Sequence, residues 1–520
     1  VRRALLVSVA VALAVASCSG NELDVASRRP PVTSTTEPRS STTTTAPSTT
    51  TTAPPTTIPA TPAQGSGFPE GWMPDPLAWT RCAGHGGFQC ATLRVPLDWS
   101  NPAGDQVALA LARQRATGNR IGSLVTNPGG PGASGLDFLF GEPFQQPLRE
   151  RFDLVSWDPR GVGASTHLFC GSKVSGFLHL DPDPDDSTEQ RAIDTAAKAV
   201  ADECAAKDAR LLEHIGTDDT ARDLEAIRLA VGDPKLTYFG FSYGTFIGER
   251  YLALFPTHVR AIVLDGVVNP TEGLEGLLRG QTTAMTAAIR RAFASCSTQA
   301  ACPLADPAAT YDQVRARVER RPLPTGGGTL GPAELATGAI YATYDPGLWP
   351  SLNRAVAAAS RGDGGPMERL ADGYYDLGDW TAYAGITCSD SPHPTGADAY
   401  RRFVDGLRAT SPEFGGPIGN EMLPCAFWPV SRPVTGPVTG AGSPPILVVG
   451  NKGDAATPYD DAVFVAGMLA DGHLLSYDGE GHTSYGRDQC VDDAIHAYLI
   501  DLTVPPEDPQ CGGGGSVPAP

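Results

Sequence analysis

Basic residues are scarce in this sequence: 39 Lys and Arg stand against 58 Asp and Glu, for a net charge of −19. An acidic chain of this kind is a poor partner for nucleic acid or anionic lipid, both of which need a basic surface. There is no CxxC pair and no His-rich tract, so the usual zinc spacings are excluded. No Gly-X-Y period accompanies the 59 Gly and 47 Pro, which excludes a collagen-like chain, and no internal repeat is visible. The apolar run near the N-terminus, Ala4–Ala16, is shorter than the ~20 residues of a membrane-spanning helix. What is present is a chain of 520 residues, 41 % hydrophobic, long enough for several domains and a large core. Its 11 cysteines exceed what an ordinary cytosolic enzyme carries and point to an exported, oxidising setting.

The start of the chain agrees with export. Arg2 and Arg3 precede the apolar run, which ends in Val15-Ala16-Ser17-Cys18, similar to a bacterial lipobox. Acylation of Cys18 would anchor the protein at the outer face of the cytoplasmic membrane. Segment 1–18 is therefore expected to be a lipoprotein signal peptide. Segment 19–67 is dominated by Thr, Pro, Ser and Ala, with no charge from Ser40 to Pro69, and is expected to be a disordered stalk. The tail 512–520 is expected to be disordered as well.

Between these limits short apolar runs end in Gly-rich or acidic turns. Val107–Gln114 alternates like an early strand. Gly122–Thr126 leads into NPGGPG, Phe152–Trp157 into DPRGVG, Leu236–Phe239 into GFSYG and Ala261–Leu264 into Asp265-Gly266. Downstream, Pro445–Val449 leads into GNKGD and Leu474–Tyr477 into DGEGH. Helical patterns follow at Asp218–Val231, Thr245–Phe255, Tyr459–Leu469 and Val491–Leu499. This alternation predicts an α/β fold, a mostly parallel, doubly wound sheet with function at the carboxyl ends of the strands. The rhythm stops between Asp265 and Pro445, where the sequence is Ala-rich and helical (Gly280–Ser295, Ala308–Arg320, Pro332–Tyr344, Pro350–Arg361). The expected organisation is a core in two parts, 68–270 and 431–511, with a helical lid, 271–430, inserted between core strands.

GFSYG, the one G-x-S-x-G match, lies between a strand and a helix, the setting of a nucleophile elbow. Ser242 is the candidate nucleophile, and it needs a base and an orienting carboxylate. Of the histidines after it, His258, His393, His473 and His496 sit in a loop, the lid, a strand entrance and a helix. His482 alone follows a late strand at its carboxyl end. Asp454 and Asp265 both end strands and compete as the acid. Asp454 shares a supersecondary unit with His482 and is preferred, leaving Asp265 as a turn residue. Thr457-Pro458 reads as an N-cap and first helical position, with a hydroxyl in reach of Asp454. The oxyanion donors are expected from the backbone N–H groups of Tyr243 and Gly130. No metal or organic cofactor is implied.

NPGGPGASG, WDPRGVGAS, the acidic helix before YFGFSYGT, and VLDGVVNP together resemble the exported α/β-hydrolases of actinobacteria typified by tripeptidyl aminopeptidases, related to proline iminopeptidases. GNKGDAATP and GEGH are similar to that family's closing segment. The resemblance spans roughly Trp72 to Cys511 and implies a serine hydrolase of aminopeptidase type, with Ser242, Asp454 and His482 as its triad and a peptide or protein as substrate. Pro128 stands where proline iminopeptidases carry His, so strict proline specificity is not implied. Exopeptidases of this type need acidic groups for the free α-amine, and Asp390 is one candidate, with a surface cap or turn as its other reading. An envelope esterase or lipase with the same triad is the competing function, and a catalytically silent surface protein a third. Apart from Cys18, ten cysteines remain, and geometry favours neighbours: Cys82–Cys90, Cys170–Cys204, Cys296–Cys302, Cys388–Cys425 and Cys490–Cys511.

Overall fold

The computed structural model describes residues 66–506 and 508–513. Cys18, the signal-peptide pattern and most of the Thr/Pro tract lie outside the described residues. The strands, in chain order, are β1 (Thr80–Arg81), β2 (Phe88–Pro96), β3 (Gln106–Gln114), β4 (Gly122–Asn127), β5 (Phe152–Trp157), β6 (Leu236–Phe241), β7 (Val259–Asp265), a small hairpin of β8 (Leu323–Pro324) and β9 (Thr329–Leu330), then β10 (Ile446–Gly453), β11 (Gly472–Glu480) and β12 (Gln510–Gly512). All but the hairpin form one sheet in the order β1-β2-β3-β5-β4-β6-β7-β10-β11-β12. From β5 through β12 every pairing is parallel. β1, β2 and β3 add an antiparallel edge. The chain thus has the mostly parallel α/β sheet that its strand–turn–helix rhythm predicts, in the α/β-hydrolase fold that the resemblance implies.

The parallel strands are buried on both faces, which is why they read as continuous apolar runs. Successive side chains point to opposite faces. Val125, Val155, Tyr238, Ile262 and Val448 enter one core cluster, and their neighbours Leu124, Leu154, Phe239, Val263 and Leu447 enter the other. A one-residue slip in any of these strands would keep it apolar yet misplace the turn at its carboxyl end. The sheet therefore fixes where each turn residue stands.

Three features differ from the sequence-based expectation. β1 and β2 were not anticipated, and neither was the 26-residue helix Ser187–Leu212. That helix starts at Asp186, whose side chain accepts the N–H groups of Thr188 and Glu189, and it bends at Asp208. The stretch between β7 and β10 holds the four expected helices, here Leu274–Ser297, Pro307–Arg320, Pro332–Tyr341 and Trp349–Ser360. Four more follow them: Gly365–Tyr375, Trp380–Asp390, Ala397–Thr410 and Gly415–Glu421.

Disulfides join Cys82 to Cys90, Cys170 to Cys204, Cys296 to Cys302, Cys388 to Cys425 and Cys490 to Cys511. Five bridges in one chain belong to a protein that matures outside the cytoplasm. Among the described residues no helix is long and apolar enough to cross a membrane.

Candidate active site

The turn after β6 places Ser242 at φ 54°, ψ −129°, as the cap of helix Tyr243–Leu254. A non-glycine residue in that region is strained and persists only where its surroundings hold it. Here the Ser242 N–H donates to the carbonyl of Asp265 at 3.0 Å. The flanking glycines allow the approach. A Cβ on Gly240 would lie 2.4 Å from the Gly244 carbonyl oxygen, and one on Gly244 would lie 2.4 Å from that of Asn127. Tyr243 opens the helix, so its N–H has no acceptor within the helix.

Two adjacent parallel strands deliver the candidate acid and the candidate base. Asp454 follows β10 and His482 follows β11, and the imidazole Nδ1 lies 2.9 Å from each carboxylate oxygen. Backbone N–H groups of Ala456 and Thr457 donate to Oδ1, and that of Thr483 to Oδ2, at 2.9–3.0 Å. Burial pushes this carboxyl up, but His482 and the backbone donors outweigh it, and the pKa lies below the usual range. With Nδ1–H donated to Asp454, Nε2 presents its lone pair; it is buried and has no protein partner.

Asp265 is also fully buried, but it faces the loop beyond the imidazole. Its oxygens accept the N–H groups of Ser484 and Tyr485 at 2.9–3.0 Å, and burial raises its pKa to about 6. It shapes the loop that carries His482 rather than touching the ring. Thr457 differs from its expected role. The helix is capped by Pro458 and starts at Tyr459, while the Thr457 hydroxyl stands 3.4 Å from His482 Nδ1. The other late histidines are engaged elsewhere: His258 with Glu225, His393 with the Cys388 carbonyl, His473 with Asp471 and His496 with the Tyr485 hydroxyl.

The glycine loop after β4 lies against the elbow. A Cβ on Gly129 would stand 2.7 Å from the Tyr243 nitrogen, and Gly129 adopts φ 97°. Its own N–H is given to Asn127 Oδ1 at 2.9 Å, which leaves Gly130 as the next exposed N–H along the loop. The helical insertion meets this loop directly, since the Asp379 N–H donates to the Gly132 carbonyl at 3.0 Å.

The insertion also contributes residues that no sequence motif marks. The Tyr344 ring stands edge-on to the His482 imidazole at 5.4 Å, and Tyr374 lies 6.2 Å beyond it. The Tyr374 hydroxyl donates to both oxygens of Glu421, at 3.0 and 3.1 Å. Burial pushes the Glu421 carboxyl up to about 7, and among the described residues no basic side chain pairs with it. Glu421 forms one wall of a largely apolar cavity lined by Phe177, Ile193, Ile340 and Tyr375, with Thr337 and Asn420 as further polar residues. Asp390, by contrast, is no surface cap. It is 3 % exposed, and its Oδ2 accepts the N–H and hydroxyl of Thr217 at 2.7 and 2.5 Å. Asp488, Cys490 and Cys511 lie close enough to suggest metal ligands, but both cysteines are spent on their disulfide.

A strained serine at a strand–helix elbow and a carboxylate-held imidazole, both at the carboxyl ends of strands of one parallel sheet, are the equipment of acyl transfer through a serine ester. Known proteins agree. The family model described as "TAP-like protein" matches residues 411–511. Serine protease Hip1 of Mycobacterium tuberculosis is 38 % identical over 480 residues, covering 84 % of this chain and 91 % of that protein. Tripeptidyl aminopeptidase of Streptomyces lividans is 32 % identical over 479 residues, covering 84 % and 86 %. Carboxylesterase B of M. tuberculosis is 35 % identical over 450 residues, covering 81 % and 86 %. With this fold and relatives matched over most of their length, the chain belongs to the TAP-like α/β-hydrolases and is a serine hydrolase.

Proposed function

We propose that the protein is an exported aminopeptidase that releases short peptides, tripeptides first among them, from free N-termini, with Ser242 as nucleophile, His482 as base and Asp454 as its orienting acid. His482 Nε2 takes the Ser242 proton as Oγ attacks the scissile carbonyl. The oxyanion is held by the N–H groups of Tyr243 and Gly130, and collapse passes the proton to the leaving amine. Water then repeats the sequence on the acyl-enzyme. Asp454, buried and ionised, stabilises the imidazolium throughout.

The observation that favours an amine-bearing substrate is Glu421. A carboxylate facing a largely apolar cavity, bonded by a tyrosine hydroxyl but by no cation, is a costly arrangement unless a ligand supplies the charge. An α-ammonium group does so. Three extended residues span about 10 Å, and the rings of Tyr344 and Tyr374 lead from His482 to Glu421 in two steps of 5.4 and 6.2 Å. Segment 271–430 then acts as a lid that measures the substrate, and Cys18 is the site of lipid anchoring to the cell envelope. The test compares free and N-acetylated tripeptidyl substrates with acyl esters on the purified protein. A strong preference for the free amine is expected. Equal turnover of blocked and free peptides, or of esters above both, would instead favour the activity named for the carboxylesterase relative.

A further inference from the structure

The loop that carries His482 is fastened to the helical insertion through its own backbone. The His482 N–H donates to the Tyr344 carbonyl at 2.8 Å. Arg487 Nη2 donates to the same carbonyl and to the carbonyl of His482, each at 3.2 Å. Its Nη1 lies 3.5 Å from Asp345 Oδ1. The fit has no slack. A Cβ on Gly481, which adopts φ 96°, would stand 2.8 Å from Pro346 Cδ, 3.0 Å from the Tyr344 oxygen and 3.1 Å from Arg487 Cζ. Thr483, on the other side of His482, is held at φ 65°. A second tie runs in parallel. Arg291, from insertion helix Leu274–Ser297, pairs with Glu480 at 2.6 and 2.7 Å and reaches the Gly453 carbonyl at 3.5 Å. Both of those residues are near neighbours in sequence of the base and its acid.

We propose that Arg487 is a positioning residue for His482: with the Tyr344 carbonyl it clamps the imidazole loop to the insertion, so that the base is placed by the same segment that covers the substrate. The clamp is made to backbone atoms on both sides, so it sets the position of the imidazole without touching substrate or ring. A guanidinium suits this task because its fixed fork can serve two carbonyls and a carboxylate together. The inference rests on the reading of His482 as the base.

The experiment measures kcat and KM on a peptide alongside the rate at which a small fluorophosphonate labels Ser242. The probe needs the serine and its base but not the peptide subsites. In Arg487→Met, kcat and the labelling rate should fall together, tenfold or more, with KM within about twofold. Arg487→Lys should restore part of both. Asp345→Asn, at an exposed side chain whose turn an Asn still caps, should lower both rates by a smaller factor and serves if Arg487→Met does not fold. Wild-type labelling rates in Arg487→Lys and Asp345→Asn, or a raised KM with unchanged labelling, would overturn the clamp. Failure of the underlying reading looks different: the unaltered protein would then not be labelled, or Ser242→Ala would be labelled as well.

Discussion

Asp454, at a strand end of the sheet, and Glu421, in the insertion, are buried carboxylates held in opposite ways. At the strand ends, Asp454 receives three backbone N–H groups and an imidazole, and its pKa is held below the usual range. In the insertion, burial raises the Glu421 carboxyl to about 7, and its described partners include no cation. At Asp454 the N–H groups of two converging turns and the imidazole together outweigh burial, whereas Asp265, with backbone N–H groups but no imidazole bond, is raised to about 6. Glu421, on a helix, is bonded by the Tyr374 side chain instead. In the proposed function, the chemistry would be supported by backbone geometry at Asp454, while recognition at Glu421 would depend on side chains that can be exchanged.

Substitutions can break this comparison. The largest effect is expected from Ser242→Ala, which should reduce hydrolysis to background while shifting stability by about 1 kcal/mol or less; turnover and thermal melting together check it. Asp454→Asn should cost roughly 10⁴-fold in kcat, the scale expected when the orienting carboxylate is neutralised. Asp265→Asn should cost far less, because Asp265 holds the loop and not the ring, and a reversal of the two would reassign the acid. Next in size, Glu421→Gln should raise KM for free-amine peptides about tenfold or more and leave acetylated peptides unaffected. The sign with pH follows from the raised pKa: the carboxylate form grows as pH rises through about 7. Preference for the free amine should therefore increase over that range in the parent and stay flat in the Gln variant. The smallest catalytic effect belongs to replacing Cys388 and Cys425 with Ser. That should lower stability by a few kcal/mol, read by denaturant melting, with little change in kcat.

The legible parts of the molecule were those where one signal dominates. β4, β5, β6 and β10 read directly as apolar runs closed by Gly, because both faces are buried. Ser242, Asp454 and His482 stood out because each follows such a run. β2 was harder: Phe88–Pro96 mixes Gln, Thr and Arg into a half-exposed edge and ends on a Pro, which cannot donate to a ladder. Trp380–Asp390 is buried nearly all round and shows no stripe, and Gly415–Glu421 begins with two glycines and a proline, poor helix formers. Glu421 was invisible for a related reason. Its meaning comes from Tyr374, 47 positions away, and no local pattern joins them.

The order of the bridges has a consequence for how the chain is made. Each cysteine among the described residues pairs with its sequence neighbour, at separations of 8, 34, 6, 37 and 21 residues, and none of these bridges encloses or crosses another. A chain exported from its N-terminus would expose each pair before the first member of the next. Oxidation in the order of emergence would then yield the native set with little need for reshuffling. Among the described residues no bridge spans from the insertion to the sheet, so a recombination event could replace the insertion and leave Cys82–Cys90, Cys170–Cys204 and Cys490–Cys511 intact.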